Sequence, residues 1–462
     1  MAGNVAFYVR RVIDANVWSR NIGHVCTLVF CLSFLILYTK YESSLSDTCL
    51  FSFDDVEYQI IAVNLYHGEG YRIGRIPHLD FFGDNGYKFQ RPRDLDKVGS
   101  GSYRILLWKN TPLRRYMFKP PGYYLFVYFV YYLFGVHPVA VKFSQMVFIS
   151  LTASLLPWIG NRYWSSRGVF CGIVAAFLVI SLEYNRYPSL NLTRLMAEPF
   201  LCFCLLVWAL QFMHLEMKET PARTFGLGIT SGFILLIKGT TVFIPAVFAV
   251  YLLLRHKVNR NSLLLLSCFG LGFILPNVPW EMYINSDPSN LVFHSGIAAS
   301  SVLDGNNEDS IRTGDWSPEW GINRSSAYLY NRIDAWKHPF SSVLYFMSIH
   351  SREIPTLLAN KITNAFSVTA YKLSALALLG YYLIAYGRAR RFRGGSTETT
   401  AKDEKVIVFP LLYLINILGV TLVIFGHPRF IAPFIPFFLL PGVYFILGLF
   451  VGEARGEKNK GP

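Results

Sequence analysis

Charge is what this chain has least of. Only 16% of its 462 residues are Asp, Glu, Lys or Arg, where a soluble protein carries about 25%. With 53% hydrophobic and 16% aromatic residues, the deficit excludes an ordinary soluble enzyme. Cysteine is sparse too, at seven residues. Cys26, Cys31, Cys171, Cys202, Cys204 and Cys268 lie in apolar runs, where they read as small packing residues, and Cys49 stands in a loop. No disulfide framework or zinc spacing emerges. His67, His78 and His294 lack metal spacing as well. There is no Gly-rich phosphate loop with its Lys and no Gly-x-Ser-x-Gly elbow, which argues against nucleotide binding and serine hydrolysis. No internal repeat is visible. A cleavable signal is not expected, because Arg10, Arg11 and Arg20 precede an apolar run too long for a signal core.

Long apolar runs are what the chain has instead. Several reach the ~18 residues that read as membrane spans. The candidates are residues 22–38, 139–160, 168–182, 197–212, 225–237, 240–254, 263–280, 373–386, 406–425 and 430–451. The expected fold is an all-α polytopic membrane protein of about ten transmembrane helices, with juxtamembrane helices on the outer face and two large outer loops. The net charge of +14 does not point to nucleic acid, because the basic residues sit in short loops between spans. Arg162/Arg167, Lys218/Arg223, Arg255/Lys257/Arg260, Arg388/Arg390/Arg391/Arg393 and Arg455/Lys458/Lys460 recur at every second turn. The positive-inside rule makes that side the cytoplasm.

This count assigns the segment Pro121–Gly135. It is apolar enough to span, but a crossing there would throw Arg162/Arg167 outside. It reads as an amphipathic or re-entrant helix at the outer surface, where its aromatics suit the interface. The domain layout that follows is a cytoplasmic N-terminus at 1–21, a transmembrane core at 22–282 with a first outer loop at 42–138, a second outer loop with a juxtamembrane helix at 283–372, C-terminal spans at 373–451 and a cytoplasmic tail at 452–462. Residues 394–405 read as a flexible linker, and the Gly/Ser/Asn/Asp-rich start of the second outer loop as an ordered loop.

The candidate chemistry sits at the edges of apolar runs. Asp54 and Asp55 open a short helix that closes at Gly68 and Gly70. Asp54 with Glu57 three residues on also matches a capping box. A carboxylate fixed at a membrane boundary can accept a proton from an attacking hydroxyl. Lys119 precedes two prolines and reads either as a snorkelling Lys or as a point charge for a lipid phosphate. Lys238 interrupts an apolar stretch at a hairpin tip, a functional position by default in a membrane segment, though it also reads as a simple hairpin marker. Glu198 starts a span, as a dipole partner or a second acid facing a cavity. Arg429 marks another outer turn, as an interface anchor or a phosphate ligand.

The layout resembles the membrane-embedded C-type glycosyltransferases, in particular the branch of protein O-mannosyltransferases and lipid A aminoarabinose transferases. The resemblance rests on the acidic pair, on Ala62, Leu65, Gly68, Gly70 and Tyr71 after it, on Lys119-Pro120-Pro121, on Leu236-Ile237-Lys238-Gly239 and on Pro279-Trp280. It implies an inverting sugar transfer on the periplasmic or luminal face, in a bacterial inner (plasma) membrane, from a polyprenyl-phosphate donor to a lipid, glycan or protein acceptor. It also implies roles: Asp54 as general base, Asp55 assisting or orienting the acceptor, Glu198 as a second acid, and Lys119, Lys238 and Arg429 on the donor phosphate. Phe118 stands where the aminoarabinose branch often has an acid, so no metal ligand is assigned, and a divalent metal is left open. The His-Pro-Pro form and the large repeat insertion of the mannosyltransferases are absent. A lipid or glycolipid flippase is the alternative, and a non-catalytic assembly subunit a third reading.

Overall fold

The computed structural model describes residues 17–45, 53–73, 114–116, 119–184, 192, 194–286, 301–315, 339–392, 406–424 and 426–456. Cys49, His78, His294 and the 394–405 linker lie outside them. The described residues are almost entirely helical. A single two-residue antiparallel ladder, β1 (Arg72–Ile73) with β2 (Arg114–Arg115), pairs Arg72 with Arg115.

The helices are α1 (Ile22–Tyr41), α2 (Phe53–Tyr66), α3 (Gly122–Phe134), α4 (Pro138–Tyr184), α5 (Ala197–Met217), α6 (Pro221–Ile237), α7 (Phe243–His256) and α8 (Arg260–Ile284). After them come α9 (Glu308–Thr313), α10 (Pro339–Ile349), α11 (Ile354–Ala365), α12 (Thr369–Phe392), α13 (Phe409–Val423) and α14 (Ile435–Gly456). Among the described residues six helices are long and apolar enough to cross a membrane, or seven if the bent pair α11 and α12 forms one span. The chain is thus an all-α protein of multi-pass membrane character.

Helix α4 is continuous only in name. Trp164 and Ser165 leave helical geometry, Ser165 with φ 54°. The backbones of Gly160 and Gly168 touch, as do those of Gly172 and Pro157. Residues eight apart in a straight helix would be about 12 Å apart along the axis. The segment is therefore two antiparallel legs, and small residues at the contact let the backbones approach. The same device joins α6 to α8. Gly228 meets Phe269, Gly232 meets Phe273 and Gly272 meets Phe225, backbone against Cα, as small residues do at helix contacts in membranes. Asn277 Nδ2 of α8 donates to Phe273 O at 2.8 Å and reaches Gly232 O of α6 at 3.4 Å.

Helix α3 has 13 residues, about 20 Å at 1.5 Å per residue and short of a ~30 Å hydrocarbon core. One face buries Tyr123, Tyr124, Val127 and Tyr131, and the other leaves Phe129, Tyr132 and Phe134 exposed. The two faces fit the amphipathic helix expected there. The second loop differs from expectation. Within 301–315, where an ordered loop is expected, there is a short helix, α9, which Asn307 caps by accepting from Ser310 N at 3.0 Å. Where one juxtamembrane helix is expected in the second outer loop, the described residues form two, α10 and α11, and α11 meets α12 at a bend of 103°.

Candidate functional site

Five segments far apart in sequence bring charge to one end of the bundle. Each is set there by a polar contact of its own. Asp54 and Glu57 lie one turn apart on α2. Gly68 and Gly70, both with φ 79°, end that helix and turn the chain into β1, a backbone shape that glycine adopts without steric cost. Tyr71 then donates from its hydroxyl to Lys119 O at 3.0 Å, fixing the backbone that carries Lys119. Tyr71 O is itself held by the Tyr283 hydroxyl of α8 at 2.6 Å.

Glu198 stands in the first turn of α5. The segment leading into it is held by Gln145 of α4, whose Nε2 donates to Arg194 O at 2.7 Å while its Oε1 accepts from Met196 N at 3.3 Å and from the Tyr123 hydroxyl at 2.6 Å. Lys238 sits at the α6–α7 tip. Asn416 of α13 clamps that tip by donating to Thr240 O at 3.0 Å and accepting from Phe243 N at 3.1 Å. The same α13 leads into the turn that carries Arg429, where His427 Nδ1 accepts from Arg429 N at 3.1 Å.

The six side chains form one alternating chain of charge. Lys119 Nζ lies 3.2 Å from Glu57 Oε1 and donates to Asp54 Oδ1 at 2.8 Å. Arg429 Nη1 donates to Asp54 Oδ2 at 2.9 Å, and its Nε donates to Glu198 Oε1. Lys238 Nζ completes the row by donating to Glu198 Oε1 at 2.6 Å. Three carboxylates and three cations therefore alternate in the order Glu57, Lys119, Asp54, Arg429, Glu198, Lys238. Two aromatic rings face the outer cations, Tyr58 at 5.3 Å from Lys119 Nζ and Phe430 at 5.5 Å from Lys238 Nζ, a favourable contact for an ammonium.

Exposure divides the row. The Glu57 and Glu198 side chains are 2% and 0% exposed, whereas Asp54 is 24%, Arg429 27%, Lys238 17% and Lys119 11%. The three cations and one carboxylate thus reach the surface, and two carboxylates hold the cations from beneath. Burial alone would raise the Asp54 carboxyl, but Lys119 and Arg429 outweigh it and hold the group well below the usual carboxylate range. Burial would likewise lower Lys119, but Asp54 and then Glu57 outweigh it and raise the ammonium above the ordinary lysine value. Lys238 is pushed down by burial, with Arg429 adding to the effect and Glu198 opposing it.

Asp54, Lys119, Glu198, Lys238 and Arg429, each singled out in the sequence, meet here. Asp55 is placed differently. It is one residue and about 100° further round α2, completely buried, and its charge bears on Tyr123. The capping-box reading of Asp54 and Glu57 is corrected. Helix α2 already begins at Phe53, so Asp54 stands inside the first turn with its carboxylate on Lys119 and Arg429. Glu57 instead accepts the hydroxyl protons of Tyr116 and Tyr124 and faces Lys119. Glu57, Tyr116 and Tyr124 are the members that sequence reasoning missed. The Glu57 spacing had a complete local explanation, and two tyrosines among 28 carry no signal of their own.

Among the described residues no group of three or more His, Cys, Asp or Glu side chains could hold a metal ion. A divalent ion does not fit the row, since its carboxylates are separated by cations rather than converging on one point. What the arrangement offers is a place for an anion: three cations from three elements, fixed by buried counter-charges, next to a carboxylate. Compared with known proteins, the chain matches no family model, no curated protein and no solved structure.

Proposed function

We propose that the chain is an integral-membrane glycosyltransferase that moves a sugar from a polyprenyl-phosphate donor to a lipid, glycan or protein acceptor, with inversion at the sugar carbon. The observation that carries this reading is the pairing of Lys119 and Arg429 with Asp54, with Lys238 joined to Arg429 through Glu198, at one end of an apolar bundle. An anionic headgroup on an apolar tail matches that combination of surfaces. Lys and Arg are the usual ligands of phosphate oxygens.

The proposed topology has ten crossings. Six described helices qualify alone. Treating the two legs of α4 as separate crossings adds one, α12 adds another, and the shorter α6 and α13 complete the ten. Helices α3 and α11 then lie along the surface. All the site residues fall on the outer (periplasmic or luminal) face. The cluster in which Glu219 lies 2.9 Å from Arg255 Nε and 2.6 Å from His256 Nε2 falls on the basic, cytoplasmic face. A bacterial inner membrane is the proposed location.

The transfer needs one displacement. The acceptor oxygen or nitrogen attacks the anomeric carbon with its lone pair and gives its proton to Asp54. The bond from that carbon to the phosphate oxygen breaks, and its electron pair leaves with polyprenyl phosphate. Charge that grows on the leaving phosphate falls among Lys119, Lys238 and Arg429, which are already oriented and partly desolvated. Attack opposite the leaving group inverts the centre. Glu57 and Glu198 orient the cations, and Asp55, buried one residue further on, assists Asp54.

Sugar transfer in detergent tests the proposal. Asp54→Asn should abolish turnover in a protein that inserts and purifies normally, and full activity in that variant would remove Asp54 from the mechanism. Turnover in detergent also separates an enzyme from a flippase, which needs a sealed membrane to show its activity.

A further inference from the structure

The alternating row poses a difficulty for a base at Asp54. Both of its oxygens are engaged, Oδ1 by Lys119 at 2.8 Å and Oδ2 by Arg429 at 2.9 Å. A carboxylate clamped between two cations has little tendency to take a proton. We infer that Asp54 is a resident counter-ion that the donor phosphate displaces from Lys119 and Arg429, so that donor binding itself releases the base. The inference rests on the reading of the row as a phosphate site, and adds to it the order in which the site works.

The members of the row are not equally replaceable. Glu57 is buried and held by the Tyr116 and Tyr124 hydroxyls as well as by Lys119. Glu198 is buried and held by both Lys238 and Arg429. Among the described residues, the hydrogen bonds to the Asp54 carboxylate come from Lys119 and Arg429 alone, and it is the one carboxylate of the row at the surface. An anion arriving from outside therefore competes with Asp54 and leaves the two buried acids in place.

The geometry of the exchange is matched. Two oxygens on one carbon now bridge an ammonium and a guanidinium, and two non-bridging oxygens on one phosphorus offer the same forked acceptor. Lys238, at the free end of the row and 17% exposed, is placed to take a further phosphate oxygen. Once its cations turn to the phosphate, Asp54 keeps Tyr58 and the buried acids as neighbours. Its affinity for a proton then rises toward that of a partly buried carboxylate. The base is switched on only when a leaving group is in place, which keeps water from being activated in an empty site.

The test is the affinity of the full-length protein in detergent for a short-chain polyprenyl phosphate, read by calorimetry. The competitor is absent in Asp54→Asn, so that variant should bind about 5-fold to about 150-fold tighter than the wild type, the span usual for coupled binding events, while transferring no sugar. Asp54→Ser serves the same purpose if the Asn variant does not fold. In the wild type, acceptor should bind productively only after donor, and steady-state kinetics with random order would overturn the inference. Equal or weaker binding by the Asp54 variants would also overturn it and leave the phosphate site standing. If the wild type and the Asp54 variants all fail to bind the lipid phosphate, the reading of the site fails instead.

Discussion

Replacing Glu198 by Gln probes the row where it is most deeply buried. Glu198 is wholly inaccessible and faces Lys238 at 2.6 Å and Arg429. Arg429 keeps Asp54 in the variant, so Lys238 bears most of the loss. Removing one partner of a buried pair costs about 3–5 kcal/mol because the other charge is left uncompensated. Lys238 has one way to limit the cost, which is to shed its proton. Neutralising a lysine of ordinary pKa at pH 7 costs about 4.6 kcal/mol, and burial has already lowered this one, so the ceiling lies below that figure. The expected loss is therefore about 3–4 kcal/mol.

The sign of the pH response follows. The native Lys238 of Glu198→Gln has a pKa below its unfolded value, so the unfolded chain binds more protons, and the stability of the variant rises with pH through the neutral and alkaline range. Thermal unfolding in detergent at pH 7 and pH 9 measures both effects. The double variant Glu198→Gln, Lys238→Met should recover most of the stability, since it removes the stranded charge. Asp309→Asn is the control. Its pair with Arg312 is 3.9 Å long, with side chains 51% and 82% exposed, and such surface pairs are worth about 0–1 kcal/mol. A Glu198→Gln variant as stable as the control, or a double variant with no recovery, would refute the reasoning.

Three further outcomes follow. The native Asp54 pKa lies below its unfolded value, so its pair contributes fully above about pH 4 and is lost as pH falls further. Lys119 is raised, so its contribution persists up to the ordinary lysine range, and thermal unfolding of the wild type should show no loss from the Asp54–Lys119 pair between about pH 5 and about pH 10. Tyr116→Phe and Tyr124→Phe each remove a hydroxyl donor from the buried Glu57 carboxylate, at an expected cost of about 1–3 kcal/mol in thermal unfolding. Gly272→Ala drives a methyl group into the Phe225 backbone and should cost about 1–3 kcal/mol. Gly226→Ala meets nothing within 4 Å and should be neutral or stabilising in the same assay.

Much of the site was legible because a charge beside an apolar run is conspicuous. Lys119, Glu198, Lys238 and Arg429 stand out at helix edges, and each edge charge proved to belong to the row. What the sequence could not supply was pairing. Nothing local tells that Arg429 reaches back 375 positions to Asp54, or that Asn416 clamps the Lys238 turn and Gln145 the entry to the Glu198 helix. Glu57 was concealed by a cap spacing that helix α2 does not use. Asp54 and Asp55 look equivalent as a doublet, but the helix turns them to different surroundings. The two legs of α4 were legible from the Arg162/Arg167 turn, while the contact of Gly160 with Gly168 requires the fold itself. Helix α9 escaped notice because its six residues, Glu308–Thr313, follow directly on Asp304-Gly305-Asn306-Asn307 and read with them as loop.

The central claim is that Lys119, Lys238 and Arg429 hold one lipid phosphate beside Asp54. A cryo-electron-microscopy map of the full chain with a bound polyprenyl phosphate tests it most directly. The account predicts phosphate density within hydrogen-bond distance of Lys119 and Arg429, with Asp54 swung off both cations and the lipid tail along the apolar flank of the bundle. Phosphate density elsewhere, with the Asp54 bridge to Lys119 and Arg429 intact, would contradict it.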